Sequence, residues 1–196
     1  MNFNHIVKNF LKKIKFPDGS FDYAKVAVVI IFALYFFSYA IHSETIYNTP
    51  NFIDSIINSV NLAIHEAGHA CFFFFGNFIY VLGGSLLQVL IPIIFAGYFF
   101  IKSENFSGSL LLFWVGQNLI NVSVYAGDAV VMQLPLLGGD NSGHDWHYLL
   151  SVTGLLDYTK VISGVIYIVG FLLIALATAL SFFFARKDNI QNAGQL

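Results

Sequence analysis

His65, Glu66, Ala67, Gly68 and His69 form a His-Glu-x-x-His pattern inside an otherwise apolar run. On a helix, residues four apart differ by about 40° in rotation and about 6 Å in rise, so both imidazoles can reach one metal ion from the same face. Glu66 flanks that face, where its carboxylate can take a proton from a metal-activated water. Burying three ionisable groups in a hydrocarbon-facing helix is costly unless they serve a site. The spacing therefore predicts a metal centre with His65 and His69 as ligands and Glu66 as the general base.

Zinc held by two histidines needs a third protein ligand and keeps a fourth position open. Asp128, Asp140, His144, Asp145 and His147 are candidates. The run Gly138-Gly139-Asp140-Asn141-Ser142-Gly143 gives a loop slack enough to fold back on the motif, and His144-Asp145-Trp146-His147 opens the next apolar segment. Asp145 is favoured, because an aspartate at a helix start is also held by backbone N–H groups. Asp128 and His144 remain as alternative ligands or as outer partners that orient a ligand or a water. His147 and His42 are expected to be interfacial or core residues, and His5 belongs to a basic surface segment.

Two polar stripes lead to the motif. Asp54, Asn58, Asn61, His65 and His69 follow steps of four, three, four and four, and Gln117, Asn121 and Asp128 form a second row with Asn118 at its edge. Such stripes must face each other, a lipid-excluded cavity, or water. Asn118 or Asn121 could then hold an unwound substrate strand or an oxyanion.

The elements that must position these residues are membrane helices. Of 196 residues, 57% are apolar and 10% charged, against about 25% charged in soluble domains. The expected fold is an all-α, polytopic transmembrane helix bundle with about five or six membrane segments. A net charge of -2 offers no basic surface for nucleic acid, and the lone Cys71 excludes an intrachain disulfide. Residues 1–23, with Lys8, Lys12, Lys13 and Lys15 among apolar side chains, suit a basic amphipathic segment on the membrane surface. Residues 24–187 form the bundle and 188–196 a polar tail. Spans are expected near 26–41, 52–75, 78–101, 107–132 and 161–185. Gly83, Gly84 and Pro92 make the third region a candidate for a hairpin or re-entrant turn.

The lysines and arginines near both ends place them in the cytoplasm, and a bacterial inner (plasma) membrane is the expected location. Five full spans would separate the two ends, so either residues 145–157 cross only partly or the third region is re-entrant. The second and fourth helices are expected to run from outside to inside, which puts the site in the cytoplasmic half.

With its His65-to-His69 motif and a later membrane helix and loop supplying an aspartate, the chain resembles the site-2 protease family of intramembrane zinc metalloproteases. The resemblance implies zinc on His65, His69 and a distant aspartate, Glu66 as general base, and transmembrane helices of other proteins as substrates. It departs from the family in lacking Asn-Pro-x-Pro followed by Asp-Gly; Met132-Gln133-Leu134-Pro135, Gly-Gly-Asp and His-Asp-Trp stand there instead. The chain also looks like a group of small bacterial membrane proteins sharing Gly83, Gly84, Gln88, Pro92 and His144 to Trp146, a likeness that supplies no function. The expected activity is a membrane-embedded zinc metallopeptidase whose partners are lipids and a transmembrane or membrane-proximal protein substrate. The alternatives are a zinc hydrolase acting on a lipid and a non-catalytic metal-binding membrane protein.

Overall fold

The computed structural model describes residues 19–44, 49–134 and 143–187. The amphipathic segment up to residue 18, the polar tail from residue 188, and Asp140 among the candidate ligands lie outside them. Among the described residues the bundle has six α-helices: α1 (Tyr23–Ile41), α2 (Phe52–Phe72), α3 (Asn77–Ile101), α4 (Asn105–Gly127), α5 (Asp145–Val152) and α6 (Thr159–Phe184). No strand is present among the described residues, and the fold is all-α.

Among the described residues four helices, α1, α3, α4 and α6, are long and apolar enough to cross a membrane, and the protein is an integral membrane protein. The expected five or six segments become four because α2, although 21 residues long, carries Asp54, Asn58, Asn61, His65, Glu66 and His69. A side chain row of that polarity is incompatible with full lipid exposure. Residues 145–157 make only the short helix α5 and a 3-10 turn.

The third region is one unbroken helix of 25 residues with Pro92 inside it. Gly83 and Gly84 do not form a turn; they let α2 and α3 touch. A Cβ on Gly68 would lie 2.2 Å from the carbonyl oxygen of Gly83, and one on Gly83 would lie 2.8 Å from that of Gly68. Small residues at such crossings allow backbones to approach closely. Helix α2 ends three residues earlier than expected, in a 3-10 turn over Phe73–Phe75, and Gly76, at φ +85°, starts α3. Helix α4 stops at Gly127 instead of Met132, because the Asp128 carboxylate takes the backbone N–H of Gln133 (3.0 Å) and of Leu134 (2.9 Å) and turns the chain.

The packed centre joins α1, α4 and α6 through Phe36, Tyr39, Phe113, Ile120 and Ile174, all buried. Helices α4 and α6 run antiparallel. Ser181 donates its hydroxyl proton to Ser109 at 3.0 Å, a Cβ on Gly116 would meet Gly170 O at 2.8 Å, and Gly127 lies near Ser163. Apolar side chains such as Leu34 and Leu172 point outward, 70% and 60% exposed, as lipid-facing positions require.

The segment before α1 and the segment after α6 meet. Gly19 N–H donates to Lys187 O (3.0 Å), Lys187 N–H to Ser20 O (2.8 Å), and Asp22 N–H to Ala185 O (2.8 Å). Lys25 lies over the Phe106 ring at 5.2 Å, so α4 starts at this end and finishes at the opposite one. Helix α2 runs the same way, with Asn61 beside Trp114 and Gln117 and His65 beside Tyr125. This corrects the expected placement of the site on the same face as the termini. The four candidate spans among the described residues bring residues 19 and 187 to one end, and α2 leads the motif away from it.

Candidate metal centre

Helix α2 is capped by Asn51, whose side chain accepts from Asp54 N–H at 2.9 Å. It starts beside Tyr35, which donates its hydroxyl proton to the buried Asp54 at 2.6 Å. Asn61 then accepts from Trp114 Nε1 and donates to Gln117, each at 2.9 Å. These bonds fix the rotation of α2, so the motif one to two turns further on faces α3 and α4.

His65 is 7% exposed and its ring centroid lies 4.9 Å from that of His69. Asp145 Oδ2 lies 2.9 Å from His65 Nε2 and 3.2 Å from His69 Nε2. One ligand atom from each of the three residues fits within 4.8 Å of the others. A tetrahedral zinc site with nitrogen bonds of about 2.0–2.1 Å has ligand-to-ligand edges of about 3.3 Å. The two edges from Asp145 Oδ2 to the histidine nitrogens need to open by only a few tenths of an ångström to reach that spacing.

The outer partners set the direction of the lone pairs. His69 Nδ1 donates to the Tyr80 carbonyl (2.9 Å), which can only accept. His65 Nδ1 lies 3.1 Å from Gln88 Oε1, and Gln88 is oriented by donating its amide to Asn121 Oδ1 at 2.9 Å. With both Nδ1 protons committed, the two Nε2 atoms turn toward a carboxylate oxygen. Three electron-rich atoms at that separation need a cation among them, whether protons or a metal. Gly84 leaves the space for it: a Cβ there would sit 2.5 Å from His65 Nε2 and 2.7 Å from His69 Nε2. Two imidazoles and one carboxylate suit zinc and other first-row divalent ions.

Asp145 is delivered as the first residue of α5. Its backbone N–H donates to the Tyr125 hydroxyl at 3.1 Å. His144, the N-cap, accepts from His147 N–H on Nδ1 (3.2 Å), which leaves its Nε2 proton for Asp128 Oδ2 at 3.3 Å. His147 in turn binds the Ala129 carbonyl at 2.8 Å, and Trp146 Nε1 donates to Ser85 on α3 at 3.1 Å. Asp128 and His144 are thus brought to each other, and not to the two motif histidines: they tie the chain after α4 to the start of α5. Burial pushes the His144 imidazole below its usual pKa, only partly offset by Asp128. Burial pushes the Asp145 carboxyl upward, but the His65 and His69 imidazoles that face it outweigh this and hold the group below the usual range.

Glu66 is exposed within the chain and lines the same cleft as His65, His69 and Asp145, a space of about 790 Å³. Asn121 lines that cleft too, with its amide turned to Gln88 and, at 3.4 Å, to Tyr39. Asn118 is fully buried and donates to the Trp114 carbonyl (2.9 Å), away from the cleft. The parts that spacing did not assign are Gln88, the Tyr80 carbonyl, Tyr125 and Gly84. Gln88 had a signal, as a lone amide in an apolar span; a backbone carbonyl has none.

In comparisons with known proteins, no family model, no curated protein and no solved structure matches the chain.

Proposed function

We propose that the protein is a membrane-embedded zinc metallopeptidase of the site-2 protease type, with His65, His69 and Asp145 as ligands and Glu66 as general base. One observation carries this reading: two Nε2 atoms and a carboxylate oxygen converge at 2.9–3.2 Å inside a helical membrane bundle, with Glu66 on the same cleft. Zinc supplies Lewis acidity there, activating water and polarising a carbonyl. The Glu66 carboxylate takes the proton from the attacking water and passes it to the leaving amine. Gln88 and the Tyr80 carbonyl hold the ligand imidazoles in the tautomer that leaves Nε2 free. The membrane is a plasma membrane, with both chain ends on its cytoplasmic side, where the lysines and arginines gather.

The test is zinc content and cleavage of a transmembrane peptide by the purified protein in liposomes, with the Glu66→Gln variant beside it. Cleavage that needs zinc and Glu66 supports the proposal. Release of a fatty acid from the liposome lipid by the same residues would favour a lipid hydrolase, and bound zinc without any turnover a non-catalytic metal protein.

A further inference from the structure

The metal centre and the positive charge occupy opposite ends of the bundle. Of nine lysines and arginines, Lys8, Lys12, Lys13 and Lys15 precede α1 in sequence. Lys25, Arg186 and Lys187 lie where residues 19–22 meet residues 185–187, and Lys102 lies in the turn from α3 to α4 beside them. Among the described residues that is four of five at one end, with Lys160 at the other. The site end instead carries Glu44, Glu66, Asp128, Asp145 and Asp157. Lysine and arginine within about 15–20 residues of a span mark the cytoplasmic side. The end that holds Asp145 and the exposed Gly143, both lining the cleft, is then the far one.

We propose that the metal centre opens to the extracytoplasmic face and takes an unwound stretch of a membrane protein from that half of the bilayer. The substrate part of this proposal rests on the peptidase reading above. The cleft follows the edge of α2 from Ser55 past Asn58 and Ser59 to Glu66 and His69. At 1.5 Å per residue that edge is about 21 Å long, enough for about six residues of extended chain. Asn58 Oδ1 is buried there without a hydrogen-bond partner. An acceptor in that state costs about 1–3 kcal/mol unless a donor meets it. A peptide N–H is such a donor, whereas an acyl chain has none.

Orientation is tested by cysteine labelling of the full chain in intact cells, in a Cys71→Ser background because Cys71 is exposed. Gly143→Cys and Asp157→Cys report the site end and Lys187→Cys the terminal end; all three positions are exposed, and a Cβ on Gly143 meets nothing within 4 Å. A membrane-impermeant maleimide should label the first two in intact cells and the third only after permeabilisation. The reverse pattern, or equal labelling of all three, overturns the orientation. Labelling of Asp157→Cys but not Gly143→Cys overturns the outward-opening cleft. Substrate side is read from new protein amino termini in cells with wild type but not with Glu66→Gln. They should map to extracytoplasmic halves of transmembrane segments, and cytoplasmic halves overturn the substrate claim. If no such termini arise, the peptidase reading and with it the substrate claim fall, while the labelling result stands, since it needs no turnover.

Discussion

Replacing Gly84 by alanine puts a methyl carbon 2.5 Å from His65 Nε2 and 2.7 Å from His69 Nε2. Ordinary contact lies at about 3.5–4.0 Å, so each nitrogen must retreat by roughly 0.8–1 Å or more. Metal–ligand distances hold within about 0.2 Å, and both retreating atoms are proposed ligands. Losing a mere outer partner typically costs about 10- to 100-fold in affinity. Moving two ligands should therefore weaken zinc binding by at least about 100-fold, or about 2.8 kcal/mol. The fold should survive better than the site, because the nearest obstacles to the new methyl are imidazole atoms and not backbone. Gly68→Ala is the contrast: its Cβ meets Gly83 O at 2.2 Å and Gly84 Cα at 2.9 Å, so it must push α2 and α3 apart. The assay is chelator competition for zinc on detergent-purified protein, with thermal unfolding followed in parallel. A Gly84→Ala protein that keeps wild-type zinc affinity would refute the placement of the ion between the two nitrogens.

Glu66→Gln should retain zinc and lose peptide cleavage by orders of magnitude, measured as metal content and turnover on one preparation; loss of the metal would make Glu66 a ligand. Asp128→Asn should loosen the loop that delivers Asp145 and weaken zinc about 10- to 100-fold, as loss of an outer partner does; no change in chelator competition would contradict that role. Gly116→Val should cost stability without touching the site, because even a Cβ there meets Ile174 Cγ1 at 2.7 Å and Gly170 O at 2.8 Å. A lowered unfolding midpoint with zinc still bound is the expected result, and an unchanged midpoint the contrary one.

Much of the site was legible because its signals are local. Four-residue spacing put His65 and His69 on one face, and a helix start after a glycine-rich loop singled out Asp145, which the structure places within 2.9–3.2 Å of both. The all-α bundle followed from composition and apolar run length. What escaped was long-range. Gly83, Gly84 and Pro92 look like helix breakers in one dimension, yet the glycines serve the close approach to α2, which only the partner helix reveals. Counting α2 as a full crossing reversed the direction of the helices that carry the site, although its polar stripe already argued against a lipid-exposed span. Asp128 and His144 carry ligand chemistry but spend it on each other, on Gln133, on Leu134 and on the α5 cap.

The most direct test is X-ray absorption at the zinc edge on the purified full-length protein, compared with His65→Ala. One zinc per chain, with two imidazole nitrogens at about 2.0–2.1 Å and oxygen ligands completing the shell, is the predicted result, together with its loss in the variant. A zinc spectrum unchanged by His65→Ala, or a wild-type protein that binds no stoichiometric metal under loading, would contradict the metal centre and the peptidase reading built on it.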